Sequence, residues 1–183
     1  DISNTDITCL ITSPTGSSVI SGIVQIQGTA DVAVSNFQSY KLEYGKGLYP
    51  KEFTEITSGQ SADNSLLGKW DTGTVDDGIH TIRLSVSANN NVVSEDYAIV
   101  KVENTRIDYP FNNDILRAGD KIEIKGLLFG IKSYKIEYTN GLNPQEWQWK
   151  SDGVTLNNVE GNSIEGVLAV WDSSSVTESD FYT

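Results

Sequence analysis

The stretch SYKLEYGKGLYPKEF, residues 39–53, occurs a second time with a few substitutions as SYKIEYTNGLNPQEW, residues 133–147. A Trp-Asp pair follows each copy, at Trp70 and again at Trp171. The second copy is longer between these two landmarks, and we place its extra residues in 152–166. An internal repeat of roughly 100 residues is the size of a β-sandwich domain. The chain of 183 residues is therefore predicted to hold two such domains in tandem.

Alternation of apolar and polar residues inside the repeat predicts antiparallel strands. In residues 40–44 the two tyrosines and Leu42 face one way, whereas Lys41 and Glu43 face the other. This period of two recurs along both copies, and no segment shows the apolar stripe of a helix. We predict strands near residues 7–12, 22–28, 37–44, 51–57, 65–70, 79–88 and 92–103 in the first copy, and near 106–109, 120–126, 133–139, 145–150, 153–157 and 163–171 in the second.

These strands predict an all-β fold of two tandem immunoglobulin-like or fibronectin-III-like β-sandwiches. We expect the first sandwich in residues 1–104 and the second in residues 105–183. The joint between them, residues 102–110, contains no Gly/Ser spacer, and this favours a stiff connection.

The second copy lacks the last hairpin of the first. After Thr81 the first copy continues as IRLSVSANNNVVSEDYAIVKVE, whereas the second copy reaches the corresponding Thr183 and stops. A sandwich without these two strands would expose apolar sheet faces and open strand edges. We consider three explanations: the chain is a fragment of a longer protein, a strand from another chain fills the gap, or the second domain closes differently.

The first copy resembles the immunoglobulin-like or fibronectin-III-like repeats of large secreted bacterial and archaeal proteins. The shared features are Tyr-x-x-Glu-Tyr-Gly, Gly-x-x-Pro before an aromatic residue, and Trp-Asp followed by Asp-Gly and an alternating strand. Such repeats follow the protease domain of some subtilisin-like proteases, and they form stalks of surface-layer and adhesin-like proteins. The resemblance implies a non-catalytic module that is secreted or at the cell surface. The second copy departs from the pattern, because TESDF stands where the first copy has DDGIH.

The charge balance argues against nucleic acid as a partner. The chain has 13 Lys and Arg residues against 25 Asp and Glu residues, a net charge of -12, whereas nucleic-acid binding needs clustered cations. No apolar run reaches the roughly 20 residues of a membrane span, so we expect no membrane insertion. The single cysteine, Cys9, lies in the apolar run ITCLI, which predicts a small buried side chain.

No catalytic motif is present, so we predict that the chain is not an enzyme and needs no organic cofactor. The sequence contains no Gly-x-Ser-x-Gly, Walker, HExxH or Cys-x-x-Cys motif, and its only histidine is His80. His80 corresponds to Tyr182 in the second copy and follows Asp77-Gly78 at the spacing of a tyrosine corner. We therefore expect a structural role for His80.

Calcium is the cation that the composition favours, since it binds carboxylate and carbonyl oxygens. The candidate ligands are Asp76, Asp77, Glu95, Asp96 and the joint residues Glu103, Asn104 and Asp108. The alternative is that these residues form solvated acidic turns.

Two tryptophans, Trp147 and Trp149, share one face of the predicted strand EWQWK. Trp147 aligns with Phe53, which indicates the core, whereas Trp149 aligns with Glu55, a position expected to face solvent. An exposed Trp149 could stack on a sugar ring or dock a partner. The alternative is packing in the core or at the domain joint.

The function that we predict is a non-catalytic spacer or interaction module of a secreted or cell-surface protein. Its partners would be other domains of the same polypeptide or neighbouring subunits. One alternative is a structural subunit of an extracellular filament or surface layer, assembled by donor-strand complementation. A second alternative is a carbohydrate-binding accessory module that binds a glycan through Trp149.

Overall fold

A computed structural model describes residues 7–32, 37–60, 62–88, 93–141, 150–159, 161–176 and 180–183. Their regular secondary structure is β-strand, apart from two short 3₁₀ turns, Thr72–Thr74 and Ser173–Ser175. The prediction of an all-β protein is therefore confirmed. No helix in these ranges is long and apolar enough to cross a membrane. The chain divides into two compact units, Asp1–Asn104 (unit 1) and Thr105–Thr183 (unit 2).

Unit 1 is built from two sheets. Its strands are β1 (Ile7–Ser13), β2 (Val19–Ile20), β3 (Ile23–Val32), β4 (Phe37–Lys46), β5 (Thr54–Gly59), β6 (Ala62–Asp71), β7 (Gly78–Ala88) and β8 (Val93–Val102). One sheet has the order β1-β3-β6 and the other β2-β8-β7-β4-β5. Neighbouring strands are antiparallel, except that β2 runs parallel to β8.

The core of unit 1 lies between these two sheets. Leu42 on β4 and Leu84 on β7 have no exposed surface, and neither has Ile26 on β3 of the opposite sheet. One apolar cluster contains these three side chains together with Trp70 of β6. From Ile82 to the end of β7, buried and half-buried residues alternate, as the sequence pattern predicts for a strand with one face on the core.

Unit 2 contains one four-stranded antiparallel sheet in the order β11-β12-β10-β9. Its strands are β9 (Thr105–Tyr109), β10 (Lys121–Phe129), β11 (Val154–Leu156) and β12 (Ser163–Asp172). The buried cluster on this sheet is formed by Ile122, Ile124, Ala169 and Trp171. Ile136 and Tyr138, from the segment that follows β10, pack against it and are partly buried.

The strand predicted over 133–139 does not form, and this prediction is wrong. The segment makes an isolated bridge between Tyr138 and Lys150, and a second bridge joins Asn140 to Tyr182. Alternation of apolar and polar residues sets which side chains face the core. A segment becomes a strand only when the backbone of a neighbouring strand forms hydrogen bonds with it. The strand predicted over 145–150 falls almost wholly on 142–149, which lie outside the described residues.

One long-range contact recurs in both units at positions that the internal repeat aligns. The Tyr40 hydroxyl donates to the Leu67 carbonyl at 2.9 Å. In unit 2 the Tyr134 hydroxyl donates to the Leu168 carbonyl at 2.6 Å. In each case the tyrosine hydroxyl donates to a backbone carbonyl of a strand distant in sequence, β6 in unit 1 and β12 in unit 2.

Candidate functional site

Within the five-stranded sheet of unit 1, β2 comes first along the chain and β8 comes last. These two strands are neighbours in the sheet, because β2 pairs with β8. Three backbone hydrogen bonds join them: Ser17 N–H to the Ile99 carbonyl at 2.7 Å, Lys101 N–H to Ser18 at 2.9 Å, and Glu103 N–H to Ile20 at 3.0 Å. We call this pairing of residues 17–20 with 99–103 the β2–β8 clamp. Because the two strands are parallel, a force that pulls the two ends of unit 1 apart would load these three hydrogen bonds in shear and at the same time.

Asn104 follows the clamp and is only 4% exposed. Its side-chain amide donates to the Thr72 carbonyl at 2.7 Å, and its side-chain oxygen accepts from the Thr72 hydroxyl at 2.8 Å. Its backbone N–H donates to Asp77 Oδ1 at 2.7 Å. Buried polar groups require such partners, and these bonds attach the end of unit 1 to the 3₁₀ turn and to the loop after it.

His80 lies inside unit 1 in a cluster of rings. Its Nδ1 lies 3.2 Å from the Gly78 carbonyl oxygen, and its ring packs edge-to-face on Trp70 with 5.7 Å between centroids. Tyr44 stacks on the same indole at 4.8 Å. His80 is 2% exposed, so it is part of the core and is not presented to a ligand in solvent.

Glu43 is the centre of an ion-pair network on the outer face of the five-stranded sheet. Its outward position predicts exposure, yet it is 4% exposed. Lys41 Nζ lies 2.6 Å from Glu43 Oε1, and Arg83 Nη2 lies 2.6 Å from Oε2. Arg83 in turn lies over the Phe53 ring, 3.9 Å from its centroid. The Phe53 ring therefore packs against the guanidinium group of Arg83.

The pKa of Glu43 reflects two opposing effects. Burial raises it, but the hydrogen bonds from Lys41 and Arg83 outweigh burial and hold the pKa below its usual value. Glu43 is consequently a charged group at neutral pH. Such a carboxylate stabilises the sheet and does not supply a proton for general acid catalysis.

The carboxylates predicted as calcium ligands have partners within the protein. The contacts are Asp76 with Lys46 Nζ at 2.7 Å, Glu103 with Lys101 Nζ at 2.7 Å, Asp108 with Arg106 Nε at 2.8 Å, Glu95 with the Tyr97 hydroxyl at 2.6 Å, and Asp96 with Ile11 N–H at 2.7 Å. Asp77 accepts from the Asn104 backbone, as described above. Among the described residues, no group of three or more His, Cys, Asp or Glu could hold a metal ion. Calcium binding stays a prediction.

Trp149, the residue predicted to bind a glycan or a partner, lies outside the described residues, and so does Trp147. Its role stays a prediction. Exposed apolar side chains do occur elsewhere in unit 1, next to one another where β4 ends and β7 begins. Tyr49 is 91% exposed and Leu48 51% exposed, while the Leu48 carbonyl accepts from the Thr81 hydroxyl at 3.2 Å.

Sequence reasoning missed the clamp and the true environment of Asn104. Val19–Ile20 is too short to show a period of two. Asn104 bonds to Thr72, 32 residues earlier, and no local signal connects two such positions. A weak signal was available in Thr72 itself, because a polar residue close to a tryptophan of the core needs a hydrogen-bond partner.

No protein-family model matches the chain, and no curated protein sequence matches it. Among solved structures, the X-ray structure of the endo-beta-1,4-mannanase from Thermotoga petrophila is similar, with a TM-score of 0.39 and 18% sequence identity. The similarity covers 57% of this chain and 21% of the mannanase chain. A likeness at this level carries no argument about fold or activity.

Proposed function

We propose that the chain is a non-catalytic spacer, built from two immunoglobulin-like or fibronectin-III-like β-sandwiches. Unit 1 supports the sandwich assignment, since a three-stranded and a five-stranded sheet share one core. Two packed antiparallel sheets in about 100 residues are typical of this class. His80, near the start of β7, packs in the region where such sandwiches carry a corner tyrosine.

The sandwich assignment extends to unit 2 through its matching contacts. The Tyr134 hydroxyl bond to Leu168 repeats the bond of Tyr40 in unit 1. Tyr138 and Tyr182 surround Trp171, with centroid distances of 4.5 and 6.1 Å, much as Tyr44 and His80 surround Trp70. Corresponding contacts at positions that the repeat aligns favour the same architecture in both units.

The observation that carries the spacer role is the β2–β8 clamp. A spacer transmits tension between the segments at its two ends, and the clamp joins β2, the second strand of unit 1, to β8, its last strand. The buried Asn104 then anchors the chain directly after the clamp. This arrangement resists extension without any ligand or catalytic group.

The cellular location and the partners of the spacer are proposed from its net charge and from the repeats that it resembles. We place it in a secreted or cell-surface protein, where the repeats that it resembles occur. Its net charge of -12 favours solubility and opposes non-specific association with anionic surfaces. Its partners would be other domains of the same polypeptide or neighbouring subunits.

The experiment that tests this proposal is single-molecule stretching of the chain between two reporter domains. We expect unit 1 to unfold in one event whose force falls in the Lys101→Pro variant. Proline removes the N–H that donates to Ser18, so it weakens the clamp.

The matched control is Lys101→Ala, which keeps the backbone donor and loses only an exposed ion pair with Glu103. Its unfolding force should equal that of the native chain. Equal forces for the proline variant and the native chain would overturn the spacer role, because the clamp would then bear no tension.

A further inference from the structure

One dipeptide of unit 2, Asn140-Gly141, has the chemistry of a site that modifies itself. It is the only Asn-Gly pair in the sequence. Because glycine carries no Cβ, its backbone nitrogen can approach the side chain of the residue before it with little steric hindrance. Among the asparagines of this chain, Asn140 is therefore the one best placed by its neighbour to lose its side-chain amide.

The fold requires the glycine of this pair. Gly141 has a φ of 107°, which lies in the left-handed region that favours glycine. Its N–H donates to the Phe181 carbonyl at 2.8 Å. Unit 1 has the same turn at the aligned positions, since Gly47 has a φ of 93° and its N–H donates to the Ile79 carbonyl at 2.8 Å. Both units thus need a glycine at this point.

The residue before the glycine differs between the two units. In unit 1 it is Lys46, whose ammonium group lies 2.7 Å from Asp76. In unit 2 it is Asn140, which is exposed and whose side chain forms no hydrogen bond to another described residue. Asn104, by contrast, is buried, and Thr72 bonds to both polar atoms of its side chain. The side chain of Asn140 can therefore turn towards the nitrogen of the glycine.

The reaction at this pair needs water alone as a co-reactant. The Gly141 nitrogen loses its proton to solvent and attacks Cγ of Asn140, so that a new C–N bond closes a cyclic imide. The side-chain nitrogen takes up a proton and leaves as ammonia. Water then opens the imide at one of its two carbonyls, which gives aspartate or isoaspartate. No oxidant or reductant takes part.

The hydrogen bond from Gly141 to Phe181 slows this reaction in the folded chain. The nitrogen can lose its proton only while the bond is open, so the rate in a free peptide is reduced by the fraction of time that the bond is open. A single backbone hydrogen bond that opens on its own lowers that rate about two- to tenfold. The fold therefore delays the reaction but does not prevent it.

We propose that Asn140 is a site of spontaneous deamidation, and that its conversion to isoaspartate breaks the bridge between residues 140 and 182. Isoaspartate places the former side-chain Cβ in the main chain, so the path from Thr139 to Gly141 becomes longer by one atom. The hydrogen bonds on either side of residue 140 then no longer fit the same partner segment. The modification also adds a negative charge at an exposed position. The inference concerns unit 2 and does not depend on the spacer role of the clamp in unit 1.

The test is incubation of the full chain at mildly alkaline pH, followed by peptide mapping with mass spectrometry. This measures conversion at each asparagine and separates aspartate from isoaspartate. We expect Asn140 to convert before every other asparagine, about two- to tenfold more slowly than in an amidated synthetic peptide of residues 135–141. The matched control is Asn140→Lys, which introduces the residue that unit 1 has at the aligned position. This variant should form no acidic product at residue 140.

A second measurement tests the effect on the bridge. The isoaspartate form is separated by ion exchange, and its amide hydrogen exchange is compared with that of the native chain. We expect faster exchange at Thr139 and Gly141, and unchanged exchange at Gly47 in unit 1. The Asn140→Asp variant carries the same added charge without the extra main-chain atom, so its exchange at these amides should match that of the native chain.

Three results would overturn the proposal. The first is an unconverted Asn140 at the time when the peptide is fully converted. The second is another asparagine that converts before it. The third is an isoaspartate form whose exchange at Thr139 and Gly141 equals that of the native chain.

Discussion

At the scale of single residues, Glu43 shows how a charged side chain becomes part of a sheet. Alternation alone places it on the solvent side of β4, but it pairs with Lys41 and Arg83 and is buried. Its two oxygens each accept from a different cation, so neither is left without a donor. A buried carboxylate with two cationic partners contributes to stability mainly because removing it would leave those partners without their acceptor.

Replacing this carboxylate by an amide should destabilise unit 1. We expect Glu43→Gln to lower the free energy of unfolding at pH 7 by about 1–3 kcal/mol. The folded pKa of Glu43 is below its ordinary value of 4.5, so its contribution is complete above that pH. The contribution is lost as the pH falls through the folded pKa. Urea unfolding between pH 7 and pH 3 should therefore show the native chain and the variant converging at low pH.

The control for this prediction is Glu55→Gln. Glu55 lies 3.7 Å from Lys41 with its side chain 48% exposed, and exposed pairs of this kind contribute about 0–1 kcal/mol. A difference between Glu43→Gln and the native chain that stays constant with pH would show that lost packing, and not lost charge, causes it.

At the scale of elements, close contact between neighbouring strands depends on a glycine in each unit. A Cβ added to Gly28 on β3 would lie 2.1 Å from the Leu10 carbonyl oxygen of β1. A Cβ added to Gly126 on β10 would lie 2.0 Å from the Arg106 carbonyl oxygen of β9. The atoms that would be met are backbone atoms of a paired strand, which cannot move aside as a flexible side chain can. Both strands also change register at or next to these glycines.

Alanine at these positions should force neighbouring strands apart. We expect Gly28→Ala to destabilise unit 1 by about 1–3 kcal/mol or more, the usual cost of overpacking, and Gly126→Ala to do the same in unit 2. The matched control is Gly16→Ala, whose added Cβ meets nothing within 4 Å. Thermal unfolding of the three variants checks this, and a Gly28→Ala variant as stable as Gly16→Ala would contradict the strand spacing.

At the scale of the whole molecule, the chain has a net charge of -12, and several of its carboxylates form ion pairs with lysine or arginine. Lysine and arginine side chains lie within 3 Å of Asp76, Glu103 and Asp108. A divalent cation at any of these carboxylates would compete with a bound ammonium or guanidinium group. The acidic composition is thus compatible with a fold that needs no metal.

Removal of divalent cations should therefore leave the stability of the chain unchanged. We expect the same melting temperature before and after treatment with EDTA at constant ionic strength. Calcium and magnesium are then added back at equal concentration, so that screening is separated from specific binding. A melting temperature that falls with EDTA and recovers with calcium alone would establish the calcium site predicted from the sequence and contradict our expectation.

Much of unit 1 could be predicted because its strands carry strict alternation. The strand predicted over 79–88 is Gly78–Ala88, and the one predicted over 92–103 is Val93–Val102. Alternation arises from the geometry of a single strand, so it is visible locally. The segment 133–139 has the same pattern and yet is not a strand, since its hydrogen bonds depend on a neighbour.

The candidate site was less predictable than the strands. The clamp uses the two-residue strand Val19–Ile20, and its parallel pairing with β8 brings together residues about eighty positions apart in sequence. The network at Asn104 likewise depends on a turn far from it in sequence. Such contacts have no periodicity from which to infer them.

The sequence by itself determined the β-strand character of the chain, the internal repeat and the apolar faces, because these follow from side-chain order along one strand. Only the tertiary structure decided which strands pair, which outward residues are covered, and where the polar groups of Thr72, Asn104 and Glu43 find partners. The physical reason is that pairing and burial are properties of two or more segments brought together. Their free energy depends on the distance between the segments and on their access to solvent. The order of residues within one segment determines neither quantity.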